Sequence, residues 1–158
     1  MADVQPFCGL RYDLKQIGHP STVISPPYDV ISPEEQLLYH QRSPYNVIRL
    51  EFGLERPTDS AHDNKYLRAA KTLEGWLGQR ILVRESRPAF YLIEHRFPYE
   101  DTLKGRLSLV ARIRLEDFPS GGVRPHETTM RGPAVDRLHL LEACRANFSP
   151  IMGLFRHQ

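Results

Sequence analysis

Two nine-residue segments constrain most strongly what this chain can fold into. Ala89 to Phe97 reads AFYLIEHRF, and Leu107 to Leu115 reads LSLVARIRL. Both are rich in apolar, β-branched and aromatic residues and alternate, imperfectly, between apolar and polar positions. The stretch between them, Pro98 to Gly105, reads as a hairpin loop. An antiparallel hairpin that follows helical segments, instead of alternating with them, excludes a regularly wound parallel fold and points to the α+β class.

The helical segments are equally readable. Ser32-Pro33-Glu34-Glu35 combines a serine cap, a proline at the first helical position and acids in the first turn, so a helix should run to about Gln41. A second helix is expected over Asn64 to Gln79, where Leu67, Ala70, Leu73, Trp76 and Leu77 share a face and Gly78 marks the stop. A third is expected over Val135 to Ala146, with Val135, Leu138, Leu141 and Ala143 at helical spacing, and Leu140 and Cys144 widening the stripe. Short strands are expected within Pro6–Leu14, over Val47–Phe52, at Ile81–Val83 and over Phe148–Phe155. The expectation is a single α+β domain over residues 1–158, with a small mixed sheet and three main helices. No internal repeat interrupts it.

Composition narrows the function. The 158 residues carry a formal net charge of only +2, which argues against a large polyanion such as DNA. No apolar run approaches the roughly 20 residues a membrane span requires, and MADVQPFCGL lacks the build of a secretory leader, so a cytoplasmic protein is expected. Cys8 and Cys144 are far apart and belong to no zinc-type spacing. The chain contains neither GxxxxGK[ST] nor GxGxxG, so common phosphate-loop and dinucleotide folds do not apply.

The richest chemistry lies ahead of the third helix. Arg124-Pro125-His126-Glu127-Thr128-Thr129 is too polar for core, and Gly132-Pro133 turns it into a helix expected near Ala134. Unpaired N–H groups and the helix dipole would face this loop and favour anions. His126 and Glu127 could act as a general base or support a metal beside a phosphate; the alternative is a loop histidine capping the backbone. A zinc-protease reading fails, because HETTM lacks the second histidine of HExxH. Arg124, Thr128, Thr129 and Arg131 could hold phosphate through guanidinium and hydroxyl groups. Tyr28-Asp29 sits on the stiff Pro26-Pro27 loop, where Asp29 could bind magnesium, orient a base or form an Asx turn. Asn46 and Arg49 would flank a strand start, and an arginine there must reach solvent or meet an anion. Arg137 and Arg145 read as a solvated helix face, and His95 and Arg96 as an outward strand face.

Several of these blocks occur together: Ser25-Pro26-Pro27-Tyr28-Asp29-Val30, Asn46-Val47-Ile48-Arg49-Leu50, Arg124-Pro125-His126-Glu127-Thr128, Asp136-Arg137-Leu138 and Asn147-Phe148-Ser149-Pro150-Ile151. In that order they resemble the N-terminal part of the bacterial and archaeal domain-of-unknown-function 1015 proteins. That family carries no firm activity and is itself distantly similar to the ParB, sulfiredoxin and free-serine-kinase superfamily. Its members are longer than this chain, which ends abruptly after an apolar run, so truncation is expected. The chain lacks the sulfiredoxin cysteine motif and the paired-arginine box of partition proteins. What the resemblance implies is therefore a nucleotide-binding domain that uses ATP or ADP with Mg2+ to phosphorylate a small hydroxyl compound, an amino acid such as serine among them. The site would be built from His126, Glu127 and Asp29 for chemistry, and from Arg124, Thr128, Thr129, Arg131, Arg49 and Asn46 for phosphate. The competing readings are a nucleotide- or metabolite-sensing module without chemistry and, less favoured by the charge, a ParB-like nucleic-acid-binding domain.

Overall fold

A computed structural model describes residues 2–117, 121–125 and 130–155. Its elements, in chain order, are β1 (Val4–Gln5), β2 (Leu10–Tyr12), α1 (Leu14–Ile17), α2 (Pro33–Arg42), α3 (Ile48–Glu51), α4 (Lys65–Gly78), β3 (Leu82–Arg84), β4 (Tyr91–Tyr99), β5 (Thr102–Val110), β6 (Arg112–Ile113) and α5 (Arg131–Cys144). The fold is mixed: five helices with small two-stranded sheets, instead of one continuous mixed sheet, among the described residues. The long helices are the expected α2, α4 and α5. The chain forms two compact units, Met1–Arg11 with Arg84–Thr128, and Tyr12–Val83 with Thr129–Gln158.

The second unit is helical and holds the core. Ile17, Val23, Ile48, Leu50, Ala69, Leu73, Trp76, Ile81, Leu82 and Leu140 are its buried hydrophobic residues. Helix α2 begins as its sequence dictates: the Ser32 hydroxyl accepts from the Glu35 N–H at 3.2 Å while the Glu35 carboxylate accepts from the Ser32 N–H at 2.9 Å. Helix α4 is capped by Asn64, whose side-chain oxygen accepts from the N–H groups of Tyr66 and Leu67, both at 3.1 Å. Its buried stripe is Ala69, Leu73 and Trp76, so the inward face is rotated from the expected one and Leu67 is exposed. Trp76 sits between the rings of Tyr12 and Tyr45, with centroids 6.0 and 6.1 Å away.

Three expectations are corrected here. Val47–Phe52 is not a strand but contains the one-turn helix α3. The reason is Asn46, which is fully buried. Its amide donates to the carbonyls of Thr22 (2.8 Å) and Ile24 (2.9 Å), and its oxygen accepts from the Ile48 N–H at 3.1 Å. That clamp starts a helical turn, and strand propensity yields to it, being largely a matter of context. Residues 148–155 form no strand. Helix α5 starts at Arg131, with Pro133 tolerated in the first turn where no intrahelical N–H is needed. It ends at Arg145, whose φ of 50° is the left-handed closure usually given to glycine, and whose N–H reaches the Leu141 carbonyl at 2.8 Å.

The first unit is built on the hairpin. Strands β4 and β5 pair antiparallel through nine residue pairs, from Tyr91↔Val110 to Tyr99↔Thr102. Both therefore reach further toward the turn than expected, β5 ends at Val110 with Arg112–Ile113 forming the separate β6, and only Glu100 and Asp101 connect β4 to β5. Glu100 adopts φ 50° to make so tight a turn. Strand β1 pairs antiparallel with β6, placing Val4 opposite Ile113. The Tyr91 ring lies 5.0 Å from Phe7, and its hydroxyl accepts from the Gly9 N–H at 2.7 Å.

Candidate functional site

The densest polar cluster lies in the helical unit, where the end of α3, the start of α4 and the first half of α5 meet the Tyr28-Asp29 turn. Asp136 is its electrostatic hub. Its carboxylate accepts from Lys65 Nζ at 2.8 Å, from the Tyr66 hydroxyl at 2.8 Å and from Arg137 Nε at 3.0 Å. Burial works against the charge, but these three donors outweigh it and hold Asp136 down at about 2. For Lys65 likewise, burial opposes the charge, while Asp136 and a 2.8 Å bond to Glu55 overcome it and keep the ammonium above its ordinary range. Burial pushes the Tyr66 phenol up, its bond to Asp136 adds to this, and the ring meets His139 edge-on at 5.4 Å.

Arg137 is the strap of the cluster. Its guanidinium lies over the Tyr28 ring, 3.9 Å from the centroid, and donates to the Glu51 backbone carbonyl at 2.9 Å. The expectation of a solvated face for Arg137 is corrected: stacking and two acceptors hold it, as a planar guanidinium permits.

Glu51 is the group that no other feature of the fold explains. It is the last residue of α3, only 9 % exposed, and its Oε1 has no hydrogen-bond partner among the described residues. A buried carboxyl oxygen without a partner is costly and therefore calls for an explanation. Burial pushes its pKa up, the Arg137 charge opposes this, and the Asp29 charge adds to it. Glu51 opens on a narrow cleft bordered by Phe52, Lys65, Tyr66, Arg137 and Leu140, of about 10 Å³, room for about one water-sized group. A wider depression of about 450 Å³ in the first unit is lined by Asp3, Arg114, Leu115, Glu116 and Asp117. Its three carboxylates against one arginine give it the wrong charge for phosphate.

Of the residues singled out from the sequence, Asp29 is exposed and near enough to Glu51 for its charge to be felt. Asn46 is committed to the α3 clamp. Arg49 donates to the carbonyls of His40 and, at 3.4 Å, Ser43, tying down the end of α2. Arg124 is exposed in the first unit, and Arg131 is exposed at the start of α5. His126, Glu127, Thr128 and Thr129 lie outside the described residues. Among the described residues no three His, Cys, Asp or Glu side chains gather as a metal-binding group, and no helix is long and apolar enough to cross a membrane. Glu51, Lys65, Asp136 and Arg137 are the residues sequence reasoning missed. The available signal was the Asp136-Arg137 pair, an acid and a base adjacent at the start of an amphipathic helix.

Fold and cleft together define an α+β protein with a buried acid, one oxygen of which lacks a hydrogen-bond partner, beside two cations that share Asp136. The family model described as "Protein of unknown function (DUF1015)" matches residues 4–158, and the chain belongs to that family. No curated protein and no solved structure matches it.

Proposed function

We propose that the helical unit is the acceptor side of a small-molecule phosphotransferase that takes a phosphoryl group from ATP or ADP with Mg2+. The observation that carries this reading is Glu51, whose Oε1 is buried without a hydrogen-bond partner and which lines a cleft with room for about one hydroxyl-sized group. As a general base, its carboxylate takes the proton of the acceptor hydroxyl. The acceptor oxygen attacks the terminal phosphorus, the bond from phosphorus to the bridging oxygen breaks, and the departing nucleotide keeps the electron pair. Burial and Asp29 raise the Glu51 pKa toward the working pH, where a base is most effective. Lys65 and Arg137, each already paired with Asp136, fix the cleft walls and leave Glu51 free.

The nucleotide itself is far larger than the cleft. Arg131, at the start of α5 where anions are favoured, is its assigned anchor in this proposal; His126, Glu127 and Thr128, expected from the sequence to take part, lie outside the described residues. Mg2+ suits such a site, since it is commonly held by one or two carboxylates together with phosphate and water oxygens; Asp29 is the carboxylate at hand. A distant kinship with the ParB, sulfiredoxin and free-serine-kinase superfamily belongs to the same proposal, as an analogy drawn from the family resemblance alone.

The test is product formation from ATP or ADP, Mg2+ and a panel of hydroxyl amino acids headed by serine. Glu51→Gln should lower kcat by roughly a hundredfold or more with little change in KM. His126→Ala and Glu127→Ala should weaken the reaction through the nucleotide. Turnover that is intact in Glu51→Gln removes the base from this site. Nucleotide binding by calorimetry without any product at high protein concentration makes the protein a sensor instead.

A further inference from the structure

The first unit contributes none of the buried hydrophobic residues among the described chain; all of them belong to the helical unit. Its hairpin instead exposes leucines. Cross-strand partners share a face, so one face of β4–β5 carries Leu92 with Leu109, Glu94 with Leu107, Arg96 with Gly105, and Pro98 with Leu103. Leu92, Leu103 and Leu107 are 68 %, 71 % and 68 % exposed. A two-stranded ribbon is marginal in water unless one face is covered.

The order of residues on this face points to what covers it. Apolar rows, Leu92/Leu109 and Pro98/Leu103, stand at the two ends. Between them lie one acid and one base, Glu94 and Arg96, which pair within the chain at 3.0 Å. The basic side chains His95, Lys104 and Arg106 all belong to the opposite face, so the leucine face is electrically balanced. Now let a second, identical face lie on it, related by a two-fold axis that crosses the strands between the Glu94 and Arg96 rows. Leu92 meets Pro98, Leu109 meets Leu103, and each Glu94 meets the other copy's Arg96. Leu107 falls over Gly105, the one position on the face without a side chain; a Cβ there would find only Glu94 Oε1, at 3.9 Å. The pattern of apolar, acid, base, apolar, with a leucine opposite a glycine, is self-complementary in the way a two-fold interface requires.

We propose that the leucine face of the β4–β5 hairpin joins two copies of this chain. Sedimentation equilibrium across a wide concentration range tests it. The unaltered protein should reach twice its 18.3 kDa. Leu107→Asp should raise the dimer dissociation constant by roughly a hundredfold, because it buries an unpaired charge. Glu94→Arg should raise it by roughly tenfold, and the exchange Glu94→Arg with Arg96→Glu should recover most of the loss, since the swapped face is again its own complement. His95→Ala, on the opposite face, should change nothing. A monomer at every concentration overturns the proposal and assigns the face to some other partner. So does a dimer indifferent to Leu107→Asp, or one that the paired exchange fails to rescue.

Discussion

The burial of Glu51 has a consequence for stability that depends on pH. An acid whose folded pKa is raised binds more protons folded than unfolded, so its contribution to stability falls as pH rises through the unfolded value and levels off above the folded one. Glu51→Gln should therefore melt at a higher temperature than the parent at pH 7–8, and the two melting curves should converge below about pH 4, near the unfolded carboxyl value. Calorimetric scans across that range decide it; a variant less stable at neutral pH would mean that Glu51 is ionised and well solvated. The residue escaped sequence reasoning because its importance comes from what is missing around it. Burial and the lack of a partner are set by α4 and α5, more than a dozen residues away in the chain, and no local spacing encodes them. Arg137 escaped for the matching reason: the ring it stacks on, Tyr28, is remote in sequence.

At the scale of elements, capping chemistry was the most legible signal. Ser32 and Glu35 form the box their spacing demands, Asn64 caps α4, and the α4 helix stops at Gly78 as expected. These are local devices whose partners lie within a few residues. Where the partner is distant, the reading failed. Val47–Phe52 has the composition of a strand, yet Asn46 reaches back to Thr22 and Ile24 and turns the chain into α3. Truncating that amide would strand two carbonyls and one N–H inside the protein. Asn46→Ala should cost about 3 kcal/mol of stability, measured by urea unfolding, with the helical unit losing its cooperative transition first. A loss below about 1 kcal/mol would show that α3 stands without its clamp. The hairpin was found, but its turn was read too long, because Pro98 and Gly105 look like punctuation and are in fact strand residues.

The molecule as a whole divides its burial unevenly. The helical unit owns the core, and the hairpin unit depends on whatever covers its leucines. Hydrogen exchange should reflect this: amides of α4 should be protected far longer than those of β4 and β5. Dilution through the dimer range should speed exchange in β4 and β5 while leaving α4 untouched. Uniform protection across both units, independent of concentration, would contradict that division. The α+β class was readable because it needs only the kinds and order of elements. The division into two units was not, because the hairpin's sequence looks as apolar as a core strand, and only the folded chain shows its leucines bare.

The position of Trp76 has a practical corollary. It is the sole indole of the chain and lies 6.0 and 6.1 Å from two phenols, within Förster-transfer range, so light absorbed by Tyr12 and Tyr45 should emerge as tryptophan emission for as long as the helical unit holds together. The protein thus carries a built-in optical gauge of its helical unit that needs no added label.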